Sequence, residues 1–441
     1  MNFAIKRNRL ICFLLIIFWY ISLYPGRLSY DSAEAIRMIQ RGESTSHWTT
    51  SFFHFLRITS FFGNQIYIPS LICICGLAFS LGYFISSIGL RVRIRSFASI
   101  AVFSSPLFGV FGVTVSHDVF QAIGIILLIS IELRKQKNLD ISRVTKCILV
   151  TSLLMSYFGI FLGIFYILRL FFIKKFKENF LFIFLFLIIY SISSLGITKL
   201  DNSRYYVPMI TDIKCIAQHP DAELSDTDWQ KLRILAPENE WKNPVSCRIG
   251  DYLVSALPSI QIYNLSRTEW IKLYLNSITH NPYIFIYAHI QRSTVALPPP
   301  FFQSPQNQVS RDYLRPIGFG SNSELQQGLE LLHTSIDEIS VANRISILKP
   351  FEYLALLPAF LVNQASWFWA WGGLWLWPIA FLWYKKSKGV SNMFATLYPI
   401  ILLHLFLFAL SPVSSGRYVM STILLGYLAS AVLLFEKIEN S

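Results

Sequence analysis

KRNRLICFLLIIFWYISLYPG, from Lys6 to Gly26, is the stretch that decides the fold class. Three cations, Lys6, Arg7 and Arg9, precede an apolar run from Leu10 to Tyr24, and Pro25-Gly26 closes it. A run of that kind suits a helix entering a bilayer, with its basic flank held in the cytoplasm. No small-residue cleavage site follows, so the segment is expected to stay as an uncleaved first span that also acts as the insertion signal.

The same pattern repeats along the chain. Hydrophobic residues make up 54% of the sequence and charged residues 14%, too few polar groups to cover a water-soluble globule. Apolar runs from Ile66 to Leu90, Phe97 to Val115 and Val119 to Leu133 alternate across the bilayer, and the inward ones land on Arg91, Arg93 and Arg95 or on Arg134, Lys135 and Lys137. The stretch from Lys146 to Ile173 carries Ser156, Gly159 and Gly163 near its middle and is read as two short spans, which keeps Lys174, Lys175 and Lys177 inside. Phe180 to Ile197 crosses outward; Trp367 to Tyr384, Met393 to Leu410 and Tyr418 to Phe435 complete the set. Phe351 to Val362 is placed along the outer surface, because an extra span there would reverse Lys385, Lys386 and Lys388.

The expectation is an all-α polytopic membrane protein of about ten transmembrane helices, with both termini cytoplasmic. Residues 1–197 form an N-terminal transmembrane module with an outer loop at 25–63, residues 198–350 a mainly helical extracytoplasmic domain, and residues 351–441 a C-terminal transmembrane module. The net charge of +13 arises largely from the cytoplasmic helix ends, so membrane lipids are expected partners and nucleic acid is not. In the outer domain, helices are expected at Asp226 to Leu235, Gly250 to Leu257 and Arg267 to Ser293, the last interrupted at Asn281-Pro282. Asp212, Asp221, Asp226 and Asp228 read as solvated surface. Of the six cysteines, Cys215 and Cys247 alone fall in this domain, which in an oxidising compartment suggests one disulfide.

Chemistry concentrates in the outer turns. Tyr24-Pro25-Gly26-Arg27-Leu28-Ser29-Tyr30-Asp31-Ser32 brings Asp31 close to the outer face, where it is a functional carboxylate or, with Ser29 as the alternative, the cap of a short helix over residues 31–40 lying on the bilayer. His47, Trp48 and His54 follow among phenylalanines; the histidines could bind phosphate, metal or a sugar hydroxyl, and the aromatics equally suit an interfacial belt. The second outer turn, Val115-Ser116-His117-Asp118-Val119, sets Asp118 between two apolar runs, where a carboxylate marks a functional position or a helix cap. In the last turn, Arg417 and Tyr418 open the final span, and the guanidinium could grip phosphate or serve as a snorkelling anchor.

In this order of parts the chain resembles the GT-C superfamily of polytopic glycosyltransferases, including its uncharacterised bacterial members. The resemblance rests on a first span, Tyr-Pro-Gly, the Asp31-Ser32 loop, a His/Trp-containing amphipathic loop, Asp118 in the second outer turn, a large outer domain and the terminal Arg417-Tyr418. It implies transfer of a sugar from a polyprenyl-phosphate donor to a glycan, lipid or protein acceptor on the extracytoplasmic face of a bacterial inner membrane. Asp31 and Asp118 would be catalytic; Arg27, His47, Trp48, His54, His117, Arg417 and Tyr418 would bind substrate. Mg²⁺ or Mn²⁺ is a cofactor that Asp31 and Asp118 could hold. This chain departs from related sequences at Trp48-Thr49-Thr50-Ser51 and at Ser156-Tyr157-Phe158-Gly159. A lipid-linked saccharide polymerase or ligase shares donor and compartment, with Arg292, Arg311 and Arg315 in the outer domain. A polytopic transporter or flippase would need charges near mid-span, and only Glu132, Arg169 and His404 offer them.

Overall fold

The computed structural model describes residues 2–24, 26–28, 32, 35–36, 38–39, 49–60, 67–172, 179–194, 203–247, 253–254, 256–293, 354, 372–386, 390–410 and 416–440. Among them the chain is all-helical apart from one pair of two-residue strands.

Helix α1 (Asn2–Ser22) ends where the Pro-Gly signal places its end. Trp19 is buried near that end, and its indole N–H donates to the Phe103 carbonyl at 2.9 Å. Gly26 has φ +120°, and a Cβ there would fall 2.3 Å from Ser70 Cβ, so both backbone and space require glycine. Strand β1 (Arg27–Leu28) follows and pairs in parallel with β2 (Thr114–Val115), Arg27 opposite Thr114. Helix α2 (Thr50–Ser60) buries Phe52, Phe53 and Leu56 and exposes Arg57 and Ile58, as one apolar stripe on a short helix dictates.

Helix α3 (Tyr67–Ile88) is long and apolar enough to cross a membrane. The single span expected from Phe97 to Val115 is instead a broken pair, α4 (Val92–Ser104) and α5 (Pro106–Val113), bent by 57°. Pro106 offers no N–H and Ser105 Oγ accepts from the Leu107 N–H, so the residues that stop one helix start the next.

Helix α6 (His117–Gln136) is the axis of the bundle: every residue from Asp118 to Leu133 is buried. It is apolar on all sides because it packs against α3, against α7 (Arg143–Leu154), and against α16 (Val390–Leu410) and α17 (Met420–Asn440). Helix α8 (Tyr157–Phe172) doubles back from α7 at Met155-Ser156, the position of the expected split. Ser156 Oγ accepts from the Gly159 N–H at 2.9 Å, and a Cβ at Gly159 would meet the Leu153 carbonyl at 2.2 Å. Helix α9 (Phe180–Ser194) packs on α7, and α15 (Gly372–Lys386) packs on α17.

Among the described residues, three helices are long and apolar enough to cross a membrane, or four if the bent α4–α5 pair is one crossing. Of the stretch 351–362, only Leu354 is among the described residues. Of the expected 31–40 helix the structure describes Ser32, Ala35 and Ile36, which are buried, and Met38 and Ile39, which are half-buried against the main core.

The segment after α9 has a separate core, built by α10 (Ser203–Ala217), α11 (Asp226–Leu235), α12 (Glu238–Lys242) and α13 (Arg267–His280) around Ile213, Leu232, Trp241, Trp270 and Leu273, while α14 (Pro282–Ser293) packs on α10, its Ala288 clustering with Cys215 and Leu253. Ser266 and Glu269 form a capping box at the start of α13, and Pro282 opens α14 at the expected interruption. Cys215 and Cys247 are joined as a disulfide, with Cα atoms 5.8 Å apart. Lys214 is buried; its ammonium donates to the carbonyls of Trp241 and Asn243, closing the end of α12, and burial lowers its pKa to about 8.

Candidate functional site at the head of the central helix

Three segments far apart in sequence meet at the N-terminus of α6. The first is the stretch that follows α1: β1 lies beside β2, and Ser32 Oγ donates to the Val115 carbonyl at 2.6 Å. Ser70 Oγ donates to the Val113 carbonyl at 2.8 Å and so ties α3 to the same turn. The second is α2, whose Phe52 ring meets the His117 imidazole edge-on at 5.7 Å while Phe55 meets Phe120 at 5.0 Å. The third is the 3₁₀ turn before α17, where the Tyr418 carbonyl accepts from Gln121 Nε2 at 3.2 Å.

Asp118 sits at the centre of this junction, 2% exposed, in the first turn of α6. Ser116 caps the helix by accepting from the Asp118 N–H at 3.2 Å, and its hydroxyl lies 3.2 Å from Asp118 Oδ2. His117 Nε2 lies 3.4 Å from Oδ1. A carboxylate is stabilised there by the positive end of the helix dipole. The cap and the functional reading are therefore compatible: Ser116 performs the capping, and the Asp118 side chain faces His117. The buried His117 Nδ1 has no hydrogen-bond partner among the described residues. An imidazole steered by a carboxylate on one nitrogen and unpaired on the other is suited to proton transfer or to bonding a hydroxyl that reaches it.

The other sequence candidates divide by position. His54 is half-buried on α2, and Tyr418 is half-buried at the junction. Arg27 lies in β1 and Arg417 in the 3₁₀ turn Gly416–Val419, so their backbones reach the junction. Asp31, His47 and Trp48 lie outside the described residues; Ser32, the residue after Asp31, is held at the junction. Among the described residues, no group of three His, Cys, Asp or Glu gathers as metal ligands would. Asp118 with Ser116 and His117 brings one carboxylate, short of the oxygen shell a Mg²⁺ or Mn²⁺ requires.

Two polar clusters lie elsewhere. At the other end of α6, about 21 Å from Asp118 along the helix axis, Glu132 pairs with Arg169 at 3.0 Å and with Lys135 at 3.4 Å, and Lys135 donates to the Tyr166 hydroxyl at 2.6 Å. These charges thus neutralise one another, and His404, on α16, bonds to Thr422 Oγ1 at 3.0 Å.

The second cluster corrects an expectation. Asp212 is not solvated; it is wholly buried, ion-paired with Arg292, accepting from the Tyr274 hydroxyl at 2.8 Å and facing His289 Nε2 at 3.0 Å. His289 Nδ1 lies 3.2 Å from the Phe408 carbonyl of α16, joining α14 to the bundle. Burial lowers the pKa of Arg292 to about 10 and holds His289 below the ordinary histidine value, with the Phe408 carbonyl pulling His289 the other way. Asp228 is also buried, bonded to Ser225 at the start of α11, whereas Asp221 and Asp226 are exposed as expected. The sequence signal for Asp212 was its setting between Ile210 and Ile213 on one amphipathic helix; that of its partners was the spacing of His289 and Arg292, one turn apart.

Fold and site together define a class: an all-helical chain suited to a membrane, with a buried polar site at the head of its central helix. The chain matches no protein-family model, no curated protein and no solved structure.

Proposed function

We propose that this protein is a polytopic glycosyltransferase of the GT-C type, with about ten membrane spans, both termini in the cytoplasm and its site on the outer face of a bacterial plasma membrane. The observation that supports this reading is the meeting of the three outer turns around His117 and Asp118. Each turn carries one part that such a transfer needs. The first loop supplies Asp31 as base, the second turn supplies Asp118, and the last supplies Arg417.

In the proposed reaction the acceptor hydroxyl gives its proton to Asp31 as its oxygen attacks the anomeric carbon of a polyprenyl-phosphate sugar. The bond from that carbon to the phosphate oxygen breaks, its electron pair stays on the phosphate, and the sugar inverts. Arg417 neutralises the leaving phosphate, since positive charge is most useful where the anion develops. Asp118 orients His117 towards the acceptor. Binding of Mg²⁺ or Mn²⁺ stays part of the proposal, and no step is routed through it.

The pairing of Arg292 with Asp212 favours this reading over a polymerase or ligase that would use Arg292 on its donor. Mutual pairing of Glu132 and Arg169 gives transport little to work with. The test is the surface-glycan profile of cells carrying Asp31→Asn or Asp118→Asn at matched membrane protein level. Loss of one sugar from a surface polymer supports transfer and identifies the product. An unchanged profile in both variants removes the two carboxylates from any mechanism.

A further inference from the structure

At their basic ends α1, α3 and α4 stand apart around a cavity of about 520 Å³. Its mouth is lined by Arg9 and Arg95, and its inner part by Phe13, Ile16, Phe79 and Phe103. Arg9 and Ile16 are seven residues apart on one helix, so the lining changes from cationic to apolar over about 10 Å. That is the order met on going from the headgroup layer into the hydrocarbon. Phe13 is 58% exposed and Phe79 38%, so the inner part opens towards the surface that faces lipid.

The charge at the mouth has no internal counterpart. The helical segments Asn2–Ser22, Tyr67–Ile88 and Val92–Ser104 contain no Asp or Glu, and among the described residues no carboxylate pairs with either guanidinium. Arg95 spends one N–H on the Leu90 carbonyl at 3.1 Å and keeps the rest of its fork available. Asn8 bonds to Ser96, which fixes α1 against α4 beside the two arginines. Gly82 also lines the cavity, and a Cβ built there would meet nothing within 4 Å.

We propose that this cavity is a binding site for one anionic phospholipid, its phosphate between Arg9 and Arg95 and the first carbons of an acyl chain along Phe13 and Phe79. A phosphate alone would satisfy the arginines and leave the apolar part unfilled; a zwitterionic lipid would fill the apolar part and carry its own cation into a basic mouth. The proposal rests on the membrane reading of these helices and not on sugar transfer.

The test is native mass spectrometry of the full chain purified in detergent, titrated with phosphatidylglycerol, phosphatidylcholine or inorganic phosphate. One phosphatidylglycerol should bind in preference to phosphatidylcholine, and Arg9→Gln with Arg95→Gln should weaken it by about tenfold or more. Arg93→Gln removes a charge from the same basic end outside the cavity and should leave binding within about twofold. Gly82→Leu fills the open space, keeps every charge, and should abolish the bound lipid with an unchanged melting temperature. Equal binding of the two lipids, equal effects of Arg93→Gln and Arg95→Gln, or competition by millimolar inorganic phosphate would each overturn the proposal. Sugar transfer is read separately, so failure here leaves the transferase reading standing and the reverse also holds.

Discussion

Ser32 donates a 2.6 Å hydrogen bond to the carbonyl of Val115, three residues before Asp118, and so fastens the loop that carries Asp31 to the turn that carries Asp118. The hydroxyl is fully buried, and the parallel pairing of Leu28 with Val115 leads the chain into it. Ser32 and Asp118, 86 positions apart in sequence, are in this way brought to one junction.

Ser32→Ala should therefore affect chemistry more than folding. Loss of one neutral hydrogen bond costs about 1 kcal/mol of stability. Misplacement of the loop that bears the proposed base should lower sugar transfer about tenfold or more. Transfer measured beside the melting temperature distinguishes the two effects, and Ser32→Thr, which keeps the hydroxyl, should restore part of the activity.

Gly26→Ala should be among the most damaging small substitutions in the chain. The new Cβ would lie 2.3 Å from Ser70 Cβ at a φ of +120°, so strain and overlap add. A loss of about 3 kcal/mol is expected. Gly82→Ala, in open space, should be close to neutral, and melting curves of the two variants in detergent compare them directly.

The Asp212–Arg292 pair should behave as a buried unit. Arg292→Met takes the cation from a buried carboxylate that keeps only Tyr274 and His289, and should cost about 3 kcal/mol, whereas Asp212→Leu combined with Arg292→Met removes both charges and should cost less than the sum of the single changes. Limited proteolysis of residues 203–293 reports the effect, and additive losses would show that the two charges are not coupled.

Acid should loosen the same region. Burial depresses the pKa of His289, so the folded state takes up its proton at lower pH than the unfolded chain, whose histidine titrates near 6.5. The unfolded state then binds more protons as pH falls through about 6.5, and stability present above that pH is lost below it. Thermal unfolding at pH 7.5 and 5.5 should show the drop, and His289→Gln should flatten it. Asp212 faces the imidazole and is itself held by Tyr274 and Arg292, and the His289→Gln comparison separates its titration from that of the other histidines.

Local chemistry carried much of the architecture into plain view. Hydropathy marked the apolar helices, Ser156 with Gly159 marked the reversal between α7 and α8, and Asn281-Pro282 marked the break between α13 and α14, because caps, prolines and glycines act within a turn of themselves. Ser105-Pro106 carried the same kind of signal, and the uniform hydrophobicity around it concealed a 57° bend.

The sequence by itself determined that this chain is helical and apolar enough for a membrane, and it named Asp118 and His117 as unusual for their setting. Only the tertiary structure decided that Ser32, Phe52 and Tyr418 gather around them, that Asp212 is buried rather than solvated, and that Glu132 neutralises Arg169. The reason is physical. Hydropathy and capping are properties of a few neighbouring residues, whereas burying a charge depends on a partner that the chain delivers from dozens or hundreds of positions away.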